Sequence, residues 1–316
     1  MAKGEKRPDQ SPTPLAVPLA SAASKSPGGR RPSALPETGR EGANRSDKKN
    51  YAQNLSAELA LMIAACLRPL YRKARVTPNE DGTRLEFSIG AKIDSKKTDV
   101  GVWDDAAGLI LGVSIKTYSF RDYHGASTKE PKKPAHLGRY QRNVKRNDME
   151  LRDEADVLHR RQPYAVLFAM FFMPKDACWD GVTGHSSFAH AVFTFRKRAG
   201  RDSADAARSD LFEKVFIGLF TDDGTVEFFD VERRPPRNQP PADTISLAEL
   251  IEAMCRDVTV RNEGVAPEER YAPDDPAWRV PDDSLPEGIE VEAPLEFEDA
   301  ISSAEEIAEE DDVEAE

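Results

Sequence analysis

Cysteine, long apolar runs and the signatures of the common enzyme classes are all scarce in this chain, and each scarcity excludes something. Its three cysteines, Cys66, Cys178 and Cys255, lie far apart and form no CxxC pair. Neither a disulfide framework nor a zinc ribbon is expected, and a reducing, cytoplasmic compartment fits this usage. The longest apolar run, residues 164–173, is too short to cross a bilayer. The charges near Met1 are followed by no apolar stretch of secretory type. No membrane partner is expected. No GxxxxGK[ST], GxSxG or HExxH occurs, which argues against a P-loop NTPase, an α/β-hydrolase and a zincin. His185 and His190 lie near Cys178 but lack a fourth ligand and zinc-like spacing.

Aromatics are missing from residues 1–46, which are rich in proline and hold Leu15, Val17, Leu19 and Leu35 as their large aliphatic residues. So little apolar surface cannot offset chain entropy, so residues 1–47 are expected to be disordered. Residues 264–316 hold 20 Asp/Glu and two Arg, a charge of −18 against −12 for the whole chain. An acidic, self-repelling tail over 263–316 is expected. What remains is mildly basic, at +6. The acidic total therefore does not exclude a nucleic-acid partner.

Residues 48–262 are long enough for one domain with a sizeable core. Leu55, Leu59, Met62, Ile63, Cys66 and Leu70 recur at helical spacing and predict a helix over 50–72. Alternation predicts strands at 84–89, 98–103 and 109–118, the last two joined by a turn at 104–108. A basic loop at 121–138 precedes a helix expected over 139–161, with Tyr140, Val144, Leu151, Ala155 and Leu158 as its apolar stripe. A buried strand should follow at 164–173, then a helix or strand at 188–198. A hairpin is expected over 211–231, and a last helix capped by Ser246 and Glu249. The fold class is α/β, a central mixed sheet flanked by helices. Trp103, Trp179, Phe168, Phe171 and Phe172 read as core.

The 98–118 hairpin carries the most chemistry. With Ala107 and Gly108 as a two-residue loop, Asp99 faces Lys116; a four-residue loop makes it face Ser114. Ser114 and Lys116 share a face because strand side chains alternate. A carboxylate binds hard cations through oxygen, and a lysine steadies developing negative charge or orients a water. The bland alternative is a cross-strand ion pair worth about 0.2–1 kcal/mol.

The segments Thr98-Asp99-Val100-Gly101-Val102-Trp103 and Gly112-Val113-Ser114-Ile115-Lys116 resemble the core motif of the PD-(D/E)XK nucleases. The resemblance spans roughly residues 50–175. In that family an Asp opens one strand and an acid-x-Lys triplet ends the next, after an N-terminal helix. Here Thr98 replaces the usual Pro, and Ser114 replaces the usual second acid. The resemblance implies a restriction-endonuclease-like fold and a magnesium- or manganese-dependent site. Its catalytic residues would be Asp99, Lys116, Ser114 and Glu58. Asp99, Glu58 and the Ile115 carbonyl would hold the metal. Glu58, three residues after Leu55 and four before Met62, is the first candidate for the missing carboxylate. Glu130, Glu150 and Glu154 follow it.

Charge supplies the second signal. From Lys116 to Arg146 there are nine Lys/Arg and two Asp/Glu. Arg139, Arg142, Asn143, Lys145 and Arg146 are the candidate DNA contacts, with Gln141 and Asn147 beside them. An ordinary solvated helix face, with pairs such as Arg146–Glu150, is the competing reading. His159 reads as a phosphate contact or a capped surface residue. The leading expectation is an endodeoxyribonuclease in bacterial restriction or phage defence. The alternatives are a nuclease-like module that binds DNA or a protein without cleaving, and a repair or recombination nuclease acting on branched DNA. Homodimerisation, and a protein partner for the acidic tail, stay open.

Overall fold

A computed structural model describes residues 14–25, 45–80, 82, 87–89, 96–104, 106–121, 123–124, 136–140, 143–181 and 185–270. All of these belong to one compact unit, residues 1–280. The helices are α1 (Ala16–Lys25), α2 (Arg45–Leu67), α3 (Val144–Arg161), α4 (Ser187–Phe195) and α5 (Leu247–Asn262). The strands are β1 (Arg75–Thr77), β2 (Phe87–Ile89), β3 (Lys96–Thr98), β4 (Val100–Asp104), β5 (Gly108–Thr117), β6 (Tyr123–His124), β7 (His136–Leu137), β8 (Val166–Pro174), β9 (Lys214–Phe220) and β10 (Val226–Asp230).

Six strands form one sheet in the order β1-β4-β5-β8-β9-β10. β5, β8 and β9 run parallel, while β1, β4 and β10 pair antiparallel with their neighbours. The mixed α/β class expected from the sequence is what the chain adopts. Two short ribbons, β2–β3 and β6–β7, stand apart from this sheet.

Strand alternation divides the core into two layers. Val166, Phe168, Met170 and Phe172 of β8 pack under α1, α2 and α5 with Val113 and Ile115. Leu167, Ala169, Phe171 and Met173 pack under α3 and α4. Every residue of β8 is buried, as a strand covered on both faces requires. The expected 188–198 element is helical: Ser186 caps α4 by accepting from the Ala189 N–H. α5 carries the capping box read from Ser246 and Glu249.

Several expectations need correction. Within the segment expected to be disordered, residues 14–25 pack: Leu15 and Ala22 are fully buried. The Leu15 N–H donates to the Gly224 carbonyl at 2.9 Å. Residues 1–13 and 26–44 lie outside the described residues, as do 271–316 of the expected acidic tail. Before that tail, Pro267–Arg270 forms a 3-10 turn whose Arg270 bonds the Asn262 and Val265 carbonyls. α2 stops at Leu67, ahead of Pro69, so Leu70 is exposed and not part of the core stripe. α3 starts at Val144, because Asn143 adopts a left-handed φ of 67°. Trp179 is 52% exposed, and His159 is buried against Glu213 and the Ser209 carbonyl.

The hairpin turn follows neither simple loop. Asp104 pairs with Gly108 around three residues, and its Oδ1 accepts from the Ala106 and Ala107 N–H groups at 2.9 Å. Gly108 takes a φ of 69°, which favours glycine. A shift between Val102 and Trp103 leaves Ile110 as an extra residue on β5. Turn and bulge together give the register of a four-residue loop, with Val100 opposite Val113. Asp99 therefore continues opposite Ser114, not Lys116.

Candidate functional site

β5 positions the site through its alternation. Ile115 points into the layer under α2, so Ser114 and Lys116 project to the face covered by α3. Ser114 is 2% exposed, and its hydroxyl donates to Glu154 Oε2 at 3.1 Å. Glu154, on α3, is itself buried. The Lys116 side chain keeps about a quarter of its surface in solvent, with Nζ 3.6 Å from Glu150 Oε2. Arg146 donates to the other Glu150 oxygen at 2.7 Å.

Asp99 sits in the bend between β3 and β4, where the ladder to β5 ends. Its carboxylate accepts from the Ile115 N–H, taking the place of the next ladder carbonyl. Burial alone would lower the Lys116 pKa, but the charges of Glu154, Asp99 and Glu150 outweigh it and hold the pKa above the ordinary value. Lys116 is thus kept protonated within a group of carboxylates. Tyr118, at the end of β5, accepts from Asn147 Nδ2, so an amide expected to reach DNA is engaged inside the protein.

Glu58 does not join this group. It accepts from Ser21 at 2.8 Å and pairs with Lys25 of α1. Burial would raise its pKa, but these two partners hold it lowered. The reason is geometric. α2 covers the sheet face opposite Ser114 and Lys116, and it turns Ser56, not Glu58, toward the Ile115 carbonyl at 3.5 Å. Two residues are about 200° apart on a helix, so both cannot face β5. Glu130 lies outside the described residues.

The expected DNA contacts are scattered by the late start of α3. Arg139 and Asn143 precede the helix, Arg142 lies outside the described residues, and Lys145 and Arg146 are exposed in its first turn. Burial first, and then the charge of Arg139, lowers the pKa of His190 on α4.

Three carboxylates, Glu154, Asp99 and Glu150, thus act on the one Lys116 ammonium, and Arg146 pairs with Glu150. Among the described residues no three His, Cys, Asp or Glu side chains form a group that could hold a metal ion. Magnesium takes one or two protein carboxylates and keeps several waters. Asp99, Glu154 and the Ile115 carbonyl suit that mode of binding. A cavity of about 480 Å³, lined by Leu70, Tyr71, Arg72, Asp104 and Ile110, lies at the turn end of the β4–β5 hairpin, away from Asp99.

The comparison with family models finds no match, and those with curated proteins and solved structures find none either. No helix among the described residues is long and apolar enough to cross a membrane. Fold and site together define an α/β protein with a lysine and carboxylates gathered at the C-terminal end of a central strand.

Proposed function

We propose that this protein is a metal-dependent endodeoxyribonuclease with a restriction-endonuclease-like core, acting in restriction or phage defence. The Ser114–Glu154 hydrogen bond carries the reading, because it delivers a buried carboxylate to the position where the PD-(D/E)XK motif lacks its acid. Asp99, Glu154 and the Ile115 carbonyl would hold magnesium or manganese. Once bound, the ion would supply charge neutralisation at the phosphoryl group and activation of a water. Ser114 fixes the Glu154 carboxylate. Lys116, kept cationic by its neighbours, presents its ammonium to the phosphate oxygens and the attacking water. Lys145 and Arg146 lie exposed on the same helix, where phosphate contacts are expected.

A second reading is a nuclease-like module that binds nucleic acid without cleaving it. Ser114, standing where the motif has its second acid, favours it. Supercoiled plasmid incubated with magnesium or manganese separates the two. Nicking by the parent, lost in Asp99→Ala, Lys116→Ala and Glu154→Gln, supports the nuclease. Intact plasmid with every protein, and retained DNA binding, supports the module.

A further inference from the structure

We propose that a surface beside the candidate site binds single-stranded nucleic acid, with Trp179 and Phe193 stacking unpaired bases and Arg139, Lys145 and Lys197 contacting phosphates. The inference deepens the nuclease reading and rests on its choice of nucleic acid as substrate.

β8 runs parallel to β5, with Phe171 beside Lys116, so the chain leaves Pro174 at the same C-terminal end of the strands as the lysine. One 3-10 turn later comes Trp179, 52% exposed directly after a fully buried strand and turn core. The next residue, Asp180, accepts from the Ser187 N–H at 2.7 Å and the Tyr140 N–H at 3.3 Å. That carboxylate gathers Trp179, the 139–140 segment and the start of α4 in one place.

α4 presents His190 and Phe193 outward, the 3-10 turn Arg196–Arg198 that follows it exposes Lys197, and Phe193 is 44% exposed. The His185 ring packs edge-on against Phe193, centroids 4.9 Å apart. Burial, then the charges of Arg139 and His185, lower the His190 pKa. Lys197 reaches Asp148 of α3 at 2.8 Å, tying this stripe to the turn that exposes Lys145.

Charge complementarity selects the occupant. Asp148 is paired with Lys197 and Arg198, and the Asp180 carboxylate is turned inward onto the Tyr140 and Ser187 N–H groups, so both acids are engaged within the protein. Asp176, three residues before Trp179, is exposed. Cations interleaved with exposed rings suit a strand whose phosphates and base faces are both accessible. A duplex hides its base faces, so the aromatic pair favours unpaired nucleotides.

The test measures binding, not cleavage. A fluorescein-labelled single-stranded oligonucleotide and its duplex are titrated in EDTA with the full chain, Trp179→Ala and Phe193→Ala. Both side chains are exposed, so folding should persist, and circular dichroism checks it. Each variant should weaken single-strand binding about 5- to 100-fold, as loss of base stacking does elsewhere, and leave duplex binding nearly unchanged. Trp179→Phe should keep most of the affinity. Equal affinity in parent and variants, equal losses for duplex and single strand, or no single-strand binding by the parent overturns the proposal. Because EDTA removes cleavage, an inactive enzyme does not affect this result, and a failed platform does not affect the plasmid assay.

Discussion

Ser114 and Glu154, forty residues apart in the chain, meet through a 3.1 Å hydrogen bond with the hydroxyl as donor. Neither side chain has much contact with solvent. A short polar residue on the strand and a longer acid on the helix together span the distance that an acid on the strand would cover alone.

Glu154→Gln keeps the shape and removes the charge. Plasmid nicking should fall at least about 100-fold, and Ser114→Ala, which only orients that carboxylate, should cost about 10- to 100-fold. Glu58→Gln should stay within about twofold of the parent, as a peripheral substitution does. Initial nicking rates rank the three. The reverse order would move the site to α2.

Glu213 is the hub of a buried network at the other end of β8. It receives Arg261 at 2.8 Å, Arg201 at 3.0 Å and the Leu167 N–H at 2.6 Å. Burial would raise its pKa, but His159, Arg261 and that N–H hold it lowered. The unfolded carboxyl titrates near about 4.3. Its contribution to stability is therefore fully present above that pH and is lost as pH falls through the lower folded pKa. Glu213→Gln leaves two arginines without their counter-charge and should cost about 3–5 kcal/mol. Urea unfolding at neutral pH, and at a pH below the folded pKa, reads both effects; the gap between parent and variant should shrink in acid.

Leu15 is 1% exposed although it lies in a proline-rich segment. Leu15→Ala should destabilise the fold by about 2–5 kcal/mol, as for any buried leucine. An unchanged urea midpoint would mean that α1 does not pack in solution.

A Cβ at Gly112 would lie 2.8 Å from Leu167 Cδ2 and 3.1 Å from Thr98 Cγ2. Gly112→Ala should cost about 1–3 kcal/mol through overpacking. It should also lower nicking, because the displaced neighbours flank Asp99 and Ser114. Thermal melting and the plasmid assay check the two effects.

Much of the framework was legible because period and burial coincide. β5, β8, the β9–β10 hairpin and the capped α5 follow directly from alternation and capping chemistry. Glu58 and Glu154 show where that legibility stops. Glu154 stands three residues after Leu151 and four before Leu158, the spacing Glu58 has to Leu55 and Met62. Spacing marks both as borders of a buried stripe, and only the sheet face that each helix covers decides which one meets Ser114. α1 was hidden because its few apolar residues gain stability by packing on α2, not from their own periodicity. The start of α3 depends on one left-handed backbone angle at Asn143. Trp179 read as core because aromatic residues usually are, and a short 3-10 turn carries it out into solvent.

The hydrogen bond from the Ile115 N–H to Asp99 gives the site its own reporter. A single amide at the end of β5 is shielded by the carboxylate expected to hold a cation. When an ion draws the carboxylate away, that amide should trade its proton for solvent deuterium faster, while its neighbours along the strand keep their pace. Occupancy of the centre can thus be followed at one backbone position, in protein that has no substrate and performs no turnover.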